Sequence, residues 1–182
     1  MSSPVEDTNA RMLTQVTGKL LESLSGSNAN IVTAIEAATA AVNTLPIYTV
    51  GTWTPVLTFE TPGDLAVVYS IQLGYYTKIG RLVAAQFTIV TSTFTHTTAS
   101  GDCQITGLPF ANGAATSLRG VLHWQGITKA TYTDITVRVP AAGSLLVVEA
   151  SGSGVAESDV SAANMPTGGT VILAGSITYF TG

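Results

Sequence analysis

Val83-Ala84-Ala85-Gln86-Phe87-Thr88-Ile89 places Val83, Ala85, Phe87 and Ile89 on one parity and Ala84, Gln86 and Thr88 on the other. Successive side chains of a strand point to opposite faces, so this period of two describes a strand with one face on a core. The same alternation recurs where Ile135, Val137 and Val139 stand against Asp134, Thr136 and Arg138, and again in Val171, Leu173, Ile177 and Tyr179. Further strands are expected near residues 52–59, 66–71, 74–79, 103–107, 118–125 and 145–150, divided by Gly, Asn and Asp turns. Many short strands of this kind predict a mainly β fold, an antiparallel β-sandwich of jelly-roll type.

Upstream the period changes. Pro46 ends any helix before it, because its ring and missing N–H stop the ladder and Leu45 is pushed out of the α region. The chain therefore divides into a helical segment, 1–46, and a β domain, 47–182. Ser3 as N-cap, Pro4 at the first helical position and Glu6 three residues after the cap form a capping box, with Asp7 favourable at the positive end of the helix dipole. A break is expected at Ser25-Gly26-Ser27-Asn28, whose residues favour turns over helix interiors. Beyond it, Ile31, Ile35, Ala38, Val42 and Leu45 recur by four and three, a heptad seam, and the same register reaches back through Asn28 to Leu24 and Leu21. Isoleucine at both core positions favours three strands over two, so the segment reads as a short trimeric stalk. Val5, Met12, Leu13, Val16 and Leu20 exceed what that seam uses and are candidates for anchoring the chain to another protein. The competing reading packs the helices on their own β domain.

The chain has 182 residues, 46% of them apolar and only 10% charged, which describes a folding chain and not a disordered one. A net charge of -4 without any cluster of Lys or Arg argues against nucleic acid as a partner. The first residues are acidic where a signal peptide is basic, and no apolar run approaches the ~18 residues of a membrane span. These features predict a soluble product made in the cytoplasm, with no membrane insertion. Cys103 is the single cysteine and reads as a small buried hydrophobe.

Three stretches, Gly51-Thr52-Trp53-Thr54-Pro55-Val56-Leu57, Gly74-Tyr75-Tyr76-Thr77-Lys78-Ile79-Gly80-Arg81-Leu82-Val83 and Ile105-Thr106-Gly107-Leu108-Pro109-Phe110, resemble in order and content motifs of the outer domains of phage tail fibres and related virion proteins. The resemblance covers the first half of the β domain. It implies a trimeric, non-catalytic virion protein used for attachment or decoration. Its partners would then be two further copies of itself, other virion proteins of tail or capsid, and a glycan or protein of the host surface. Two functions compete: a short tail fibre or spike, and a capsid decoration or head fibre docked by its N-terminal helices. Read physically, the second motif is two strands joined by a tight turn at Gly80. In the third, Pro109 stops a strand and Phe110 caps the core. Trp53 reads as packing, within the core or between subunits.

An enzyme needs a convergent polar set, and none is legible. His96 in Thr95-His96-Thr97-Thr98 reads as a loop residue and His123 as a strand residue, neither with a partner at metal-ligand spacing. Glu60, Asp64, Glu149, Glu157 and Asp159 are candidates for a glycosidase carboxylate pair, but loop placement suits solvation better. Gly152-Ser153-Gly154 reads as a flexible loop and Gly168-Gly169 as a hairpin turn. No catalytic residue, metal or cofactor is expected, and the sequence does not single out receptor-binding residues.

Overall fold

The computed structural model describes residues 4–43 and 47–182, with backbone alone at 4–7, 9–10 and 39–43. Ser3, Leu45 and Pro46 lie outside the described residues, as do the side chains of Val5, Glu6, Asp7 and Val42. Two compact units are present, Met1–Pro46 and Ile47–Gly182.

The first unit contains one helix, α1, over Pro4–Asn43, 40 residues, which spans about 60 Å at ~1.5 Å per residue. It does not break at Ser25-Gly26-Ser27-Asn28. One interior glycine costs only about 1 kcal/mol, and helix-forming flanks on both sides outweigh it. Threonines within α1 bond to the preceding turn: the Thr33 hydroxyl donates to the Ala29 carbonyl at 2.9 Å, and that of Thr17 to the Leu13 carbonyl.

Among the described residues the second unit forms ten strands: β1 (Tyr48–Trp53), β2 (Val56–Thr61), β3 (Ala66–Ile79), β4 (Leu82–Thr95), β5 (Ser100–Thr106), β6 (Leu118–Gln125), β7 (Asp134–Val139), β8 (Leu146–Gly152), β9 (Val155–Asp159) and β10 (Ile172–Phe180). They pair in the order β1-β3-β4-β10-β6-β7-β8-β5-β2, with β9 on β8, and the ladders are antiparallel. The mainly β, antiparallel architecture is thus present, but as one continuous sheet where the jelly roll would have two. The sheet curls over its own core. Tyr69 of β3 reaches β2, where its hydroxyl accepts the Leu57 N–H at 3.0 Å, and the Gln72 amide donates to the Pro55 carbonyl at 3.0 Å. Phe59 of β2 meets Phe94 of β4 edge to face, with ring centroids 6.0 Å apart.

Inside the curl lie the apolar parities read from the sequence: Val83, Ala85, Phe87 and Ile89, then Ile135, Val137 and Val139, then Leu173, Ile177 and Tyr179. Cys103 is fully buried among them, and burial pushes its thiol up to about 12, which leaves it an inert hydrophobe at neutral pH. Two expected strands, 66–71 and 74–79, are one strand, β3, whose register against β4 shifts on either side of Tyr69. Conversely, the stretch expected near 52–59 is split between β1 and β2 at Thr54-Pro55.

The three sequence motifs meet at one corner. Trp53 pairs with Gly74 across β1 and β3, and its indole N–H donates to the Gln86 carbonyl at 3.1 Å. A Cβ on Gly74 would lie 2.6 Å from the indole, and one on Gly51 would lie 2.7 Å from the ring of Tyr76, so each glycine seats an aromatic of the facing strand. Gly107, at φ +93°, packs its backbone on the Thr54 carbonyl. Phe110 then meets Tyr76 edge to face at 5.3 Å, with the Lys78 ammonium 5.6 Å above its ring. The motifs build structure. Gly80, at φ +58°, makes the expected tight turn between β3 and β4.

Candidate functional site

Following the outward parity across the ladders divides the outer face of the sheet into two chemically different halves. On β1, β3, β4, β10 and the far part of β6, the outward residues include Tyr48, Val50, Leu73, Tyr75, Ile79, Leu82, Phe180 and Val121. Leu73 is 50% exposed, Tyr75 56% and Val121 68%. The ladder positions between them are held by Thr77, Ala84, Gln86, Thr88, His123, Ala174, Ser176 and Thr178, so the half carries no carboxylate, and its border charges are Arg81 in the β3–β4 turn and Arg119 on β6. Near its middle is a depression of about 440 Å³, floored by Ala174, Gly175 and Ser176 and walled by Leu73, Tyr75 and Val121. Exposed large apolar side chains grouped on one face in this way often mark a contact surface.

Continuing across β6, β7 and β8, the same face becomes a charge network. Arg119 and Arg138 face each other across β6 and β7. Between them lies Glu149, only 3% exposed, accepting from Arg119 Nε at 2.8 Å and Arg138 Nε at 2.5 Å. Arg138 also donates Nη2 to both carboxylate oxygens of Asp159, at 2.8 and 2.9 Å, and Arg119 donates Nη2 to Glu157 at 2.6 Å. Burial opposes ionisation of Glu149, but the two guanidiniums outweigh it and hold the carboxyl below its ordinary range. Nearby, burial and the charges of Asp159 and Glu60 raise the carboxyl of Asp102. The expected loop placement fails here: Glu149, Glu157 and Asp159 sit on β8 and β9, Glu149 buried and Glu157 still exposed, and their arginine partners are brought by β6 and β7.

A third region lies at the end of the strands away from Tyr48. Asp64, in the turn after β2, accepts from the N–H groups of Thr97 and Thr98 and from both their hydroxyls, at 2.5 to 3.1 Å. The Thr97 hydroxyl and N–H and the Thr98 N–H hold its carboxyl well below the ordinary range. This ties two neighbouring turns together. His96 is a loop residue but not a solvated one: it is 6% exposed, packed edge to face on Phe59 and Phe94, and among the described residues its Nε2 has no hydrogen-bond partner. It lines a cleft of about 300 Å³ with Thr97, Ala99, Ala162, Met165 and Thr167. His123 is an exposed strand residue on the outer face.

On α1, Met12, Leu13, Val16, Leu20, Leu21, Leu24, Ile31, Ile35 and Ala38 are all exposed. Because the helix is unbroken, Leu13 and Leu20 fall at ~100° per residue on the same stripe as Leu24, Ile31, Ile35 and Ala38, while Met12 and Val16 lie to one side. The seam and anchor sets are therefore less separate than a helix break at Ser25–Asn28 would make them. Among the described residues no helix is long and apolar enough to cross a membrane, and no group of His, Cys, Asp and Glu could hold a metal ion.

No protein-family model matches the chain, and no curated protein matches it either. Its fold is similar to part of a crystal structure of the Dettilon tailspike protein, with a TM-score of 0.54 and 19% identity over 71% of this chain. The match spans only 23% of the tailspike chain, and at that identity the likeness is one of fold.

Proposed function

We propose that the chain is a non-enzymatic structural protein of a bacteriophage particle, a short trimeric tail fibre or spike that attaches the particle to the host surface. The observation that carries this reading is the union, in one chain, of a long helix with an exposed apolar stripe and a β-rich unit whose fold resembles part of a phage tailspike. In this reading three chains join along Leu21, Leu24, Ile31, Ile35, Ala38, Val42 and Leu45, while Val5, Met12, Leu13, Val16 and Leu20 supply contacts to another virion protein. Each large apolar side chain buried there contributes roughly 1.5 to 3 kcal/mol, so a few per chain, repeated threefold, hold the assembly. The β unit faces outward, and its loops far from Tyr48 meet a host glycan or protein.

Four of the five carboxylates that could have served hydrolysis support a structural role: Asp64 is committed to Thr97 and Thr98, and Glu149, Glu157 and Asp159 to arginines, while Glu60 is an exposed residue of β2. The purified protein is expected to release no oligosaccharide from host envelopes; release would end the non-enzymatic reading. Electron microscopy of particles labelled with an antibody to this chain tests the placement. Label at the tail is expected, label spread over the capsid would select a decoration or head-fibre role, and unlabelled particles would overturn both.

A further inference from the structure

We propose that the uncharged half of the outer sheet face, centred on Leu73, Tyr75, Val121 and Ala174, is a second self-association surface, packed in the assembled protein against the β units of neighbouring copies and independent of the helical seam. The inference rests on the trimeric reading above and adds to it a place on the β unit.

The occupant follows from charge and shape. Close to a rotation axis identical groups converge, so a charge placed there meets its own sign, and a face packed near the axis is favoured when it carries little charge. This half of the face carries no carboxylate or Lys; its ionisable groups are His123, opposite Ala174, and the border residues Arg81, in the β3–β4 turn, and Arg119. A foreign partner imposes no such restriction, and the neighbouring half of the same face shows that this sheet readily carries charge. The small residues Ala174 and Ser176 leave the depression, and large ones on the same face, Tyr48, Ile79, Leu82 and Phe180, supply side chains of the kind that fill one. With strands ~4.8 Å apart and ~3.3 Å per residue, the five-strand patch presents roughly 600 Å². That approaches the ~800 Å² per partner of a stable interface, before any contribution from α1.

The test uses the full chain. Nitration of tyrosines in the wild-type oligomer, mapped by mass spectrometry, is expected to spare Tyr48 and Tyr75 by about tenfold relative to the same protein diluted to monomer, as rings at an interface core are shielded. Leu73→Glu with Val121→Glu should lower the sedimenting mass and abolish that sparing, with the β circular dichroism retained. Leu73→Ser with Val121→Thr should weaken assembly in the same direction if the glutamates prevent folding. Fast nitration of Tyr48 and Tyr75 in a wild-type trimer would overturn the inference and leave the seam intact. Sparing that persists in diluted monomer would overturn it too, because the chain's own N-terminal segment would then cover the face. An unchanged mass for Ile31→Asp with Ile35→Asp, alongside dissociation by the sheet variants, would refute the seam and uphold this surface.

Discussion

The two halves of the outer sheet face share one pleat and one set of ladders, yet one satisfies itself and the other does not. Where β6, β7 and β8 run together, buried Glu149 is held by two guanidiniums and three further carboxylate–arginine bonds complete the network. Where β1, β3, β4 and β10 run together, Leu73, Tyr75 and Tyr48 stand in solvent with nothing from the β unit over them. A polar network of this density fixes register and holds a sheet edge closed within the monomer. An apolar face gains its free energy only when something covers it. The difference teaches that the charged half stabilises the β unit from within, while the proposed self-association would fall to the other strands.

Substitutions can break that comparison. The largest effect on folding is expected for Arg138→Ala, which leaves Glu149 buried with only the half-exposed Arg119: about 3 kcal/mol lost in urea unfolding. A loss below 1 kcal/mol would mean that the network is merely a solvated charge cluster. Next is Gly74→Ala, whose new Cβ meets the Trp53 indole at 2.6 Å; displacement of the ring should cost about 2 kcal/mol and shift tryptophan emission.

Acid sharpens the same contrast. The folded carboxyl of Glu149 titrates below its unfolded value, so its contribution is fully present above the ordinary glutamate range and is lost as pH falls through the folded value. Unfolding midpoints measured from neutral pH downward should drop on the acid side in the wild type, and the drop should be shallower in Glu149→Gln. The smallest effect on folding is expected from Val121→Lys, on the uncharged half and 68% exposed. Its unfolding free energy at concentrations too low for assembly should stay within about 0.5 kcal/mol. A large loss there would mean that the face is part of the monomer's own core.

Local patterns were readable wherever the period of two was uninterrupted. Residues 118–125 form β6 as expected, the turn at Gly80 is where its glycine places it, and Trp53 and Cys103 are in the core. Strand order was not readable, because the ladder joins β4 to β10 and β5 to β2 across stretches that no local signal links. For the same reason the network was missed: Arg119 and Glu149 meet only after β7 is inserted between β6 and β8. Gly74 looked like a strand end because the aromatic that needs its missing side chain lies on another strand. At Ser25–Asn28 the residues favour a turn locally, and the helical flanks on both sides override them. His96 is the loop residue its threonine neighbours suggest, but nothing local signals that Phe59 and Phe94 pack against its ring.

The pairing of β1 has a mechanical consequence. The chain from α1 enters the sheet at Tyr48, opposite Ile79, and β1 runs antiparallel to β3 from Tyr48↔Ile79 to Trp53↔Gly74. Inter-strand hydrogen bonds lie perpendicular to the strands. A pull that arrives through the helix while the loops beyond Thr61 and Thr95 are held runs along β1, so its bonds to β3 are strained together and not one after another from an end. The strand nearest the tether is thus loaded in shear, the direction in which a short ladder resists tearing best, with the Trp53 ring wedged over Gly74 as a stop at its far end.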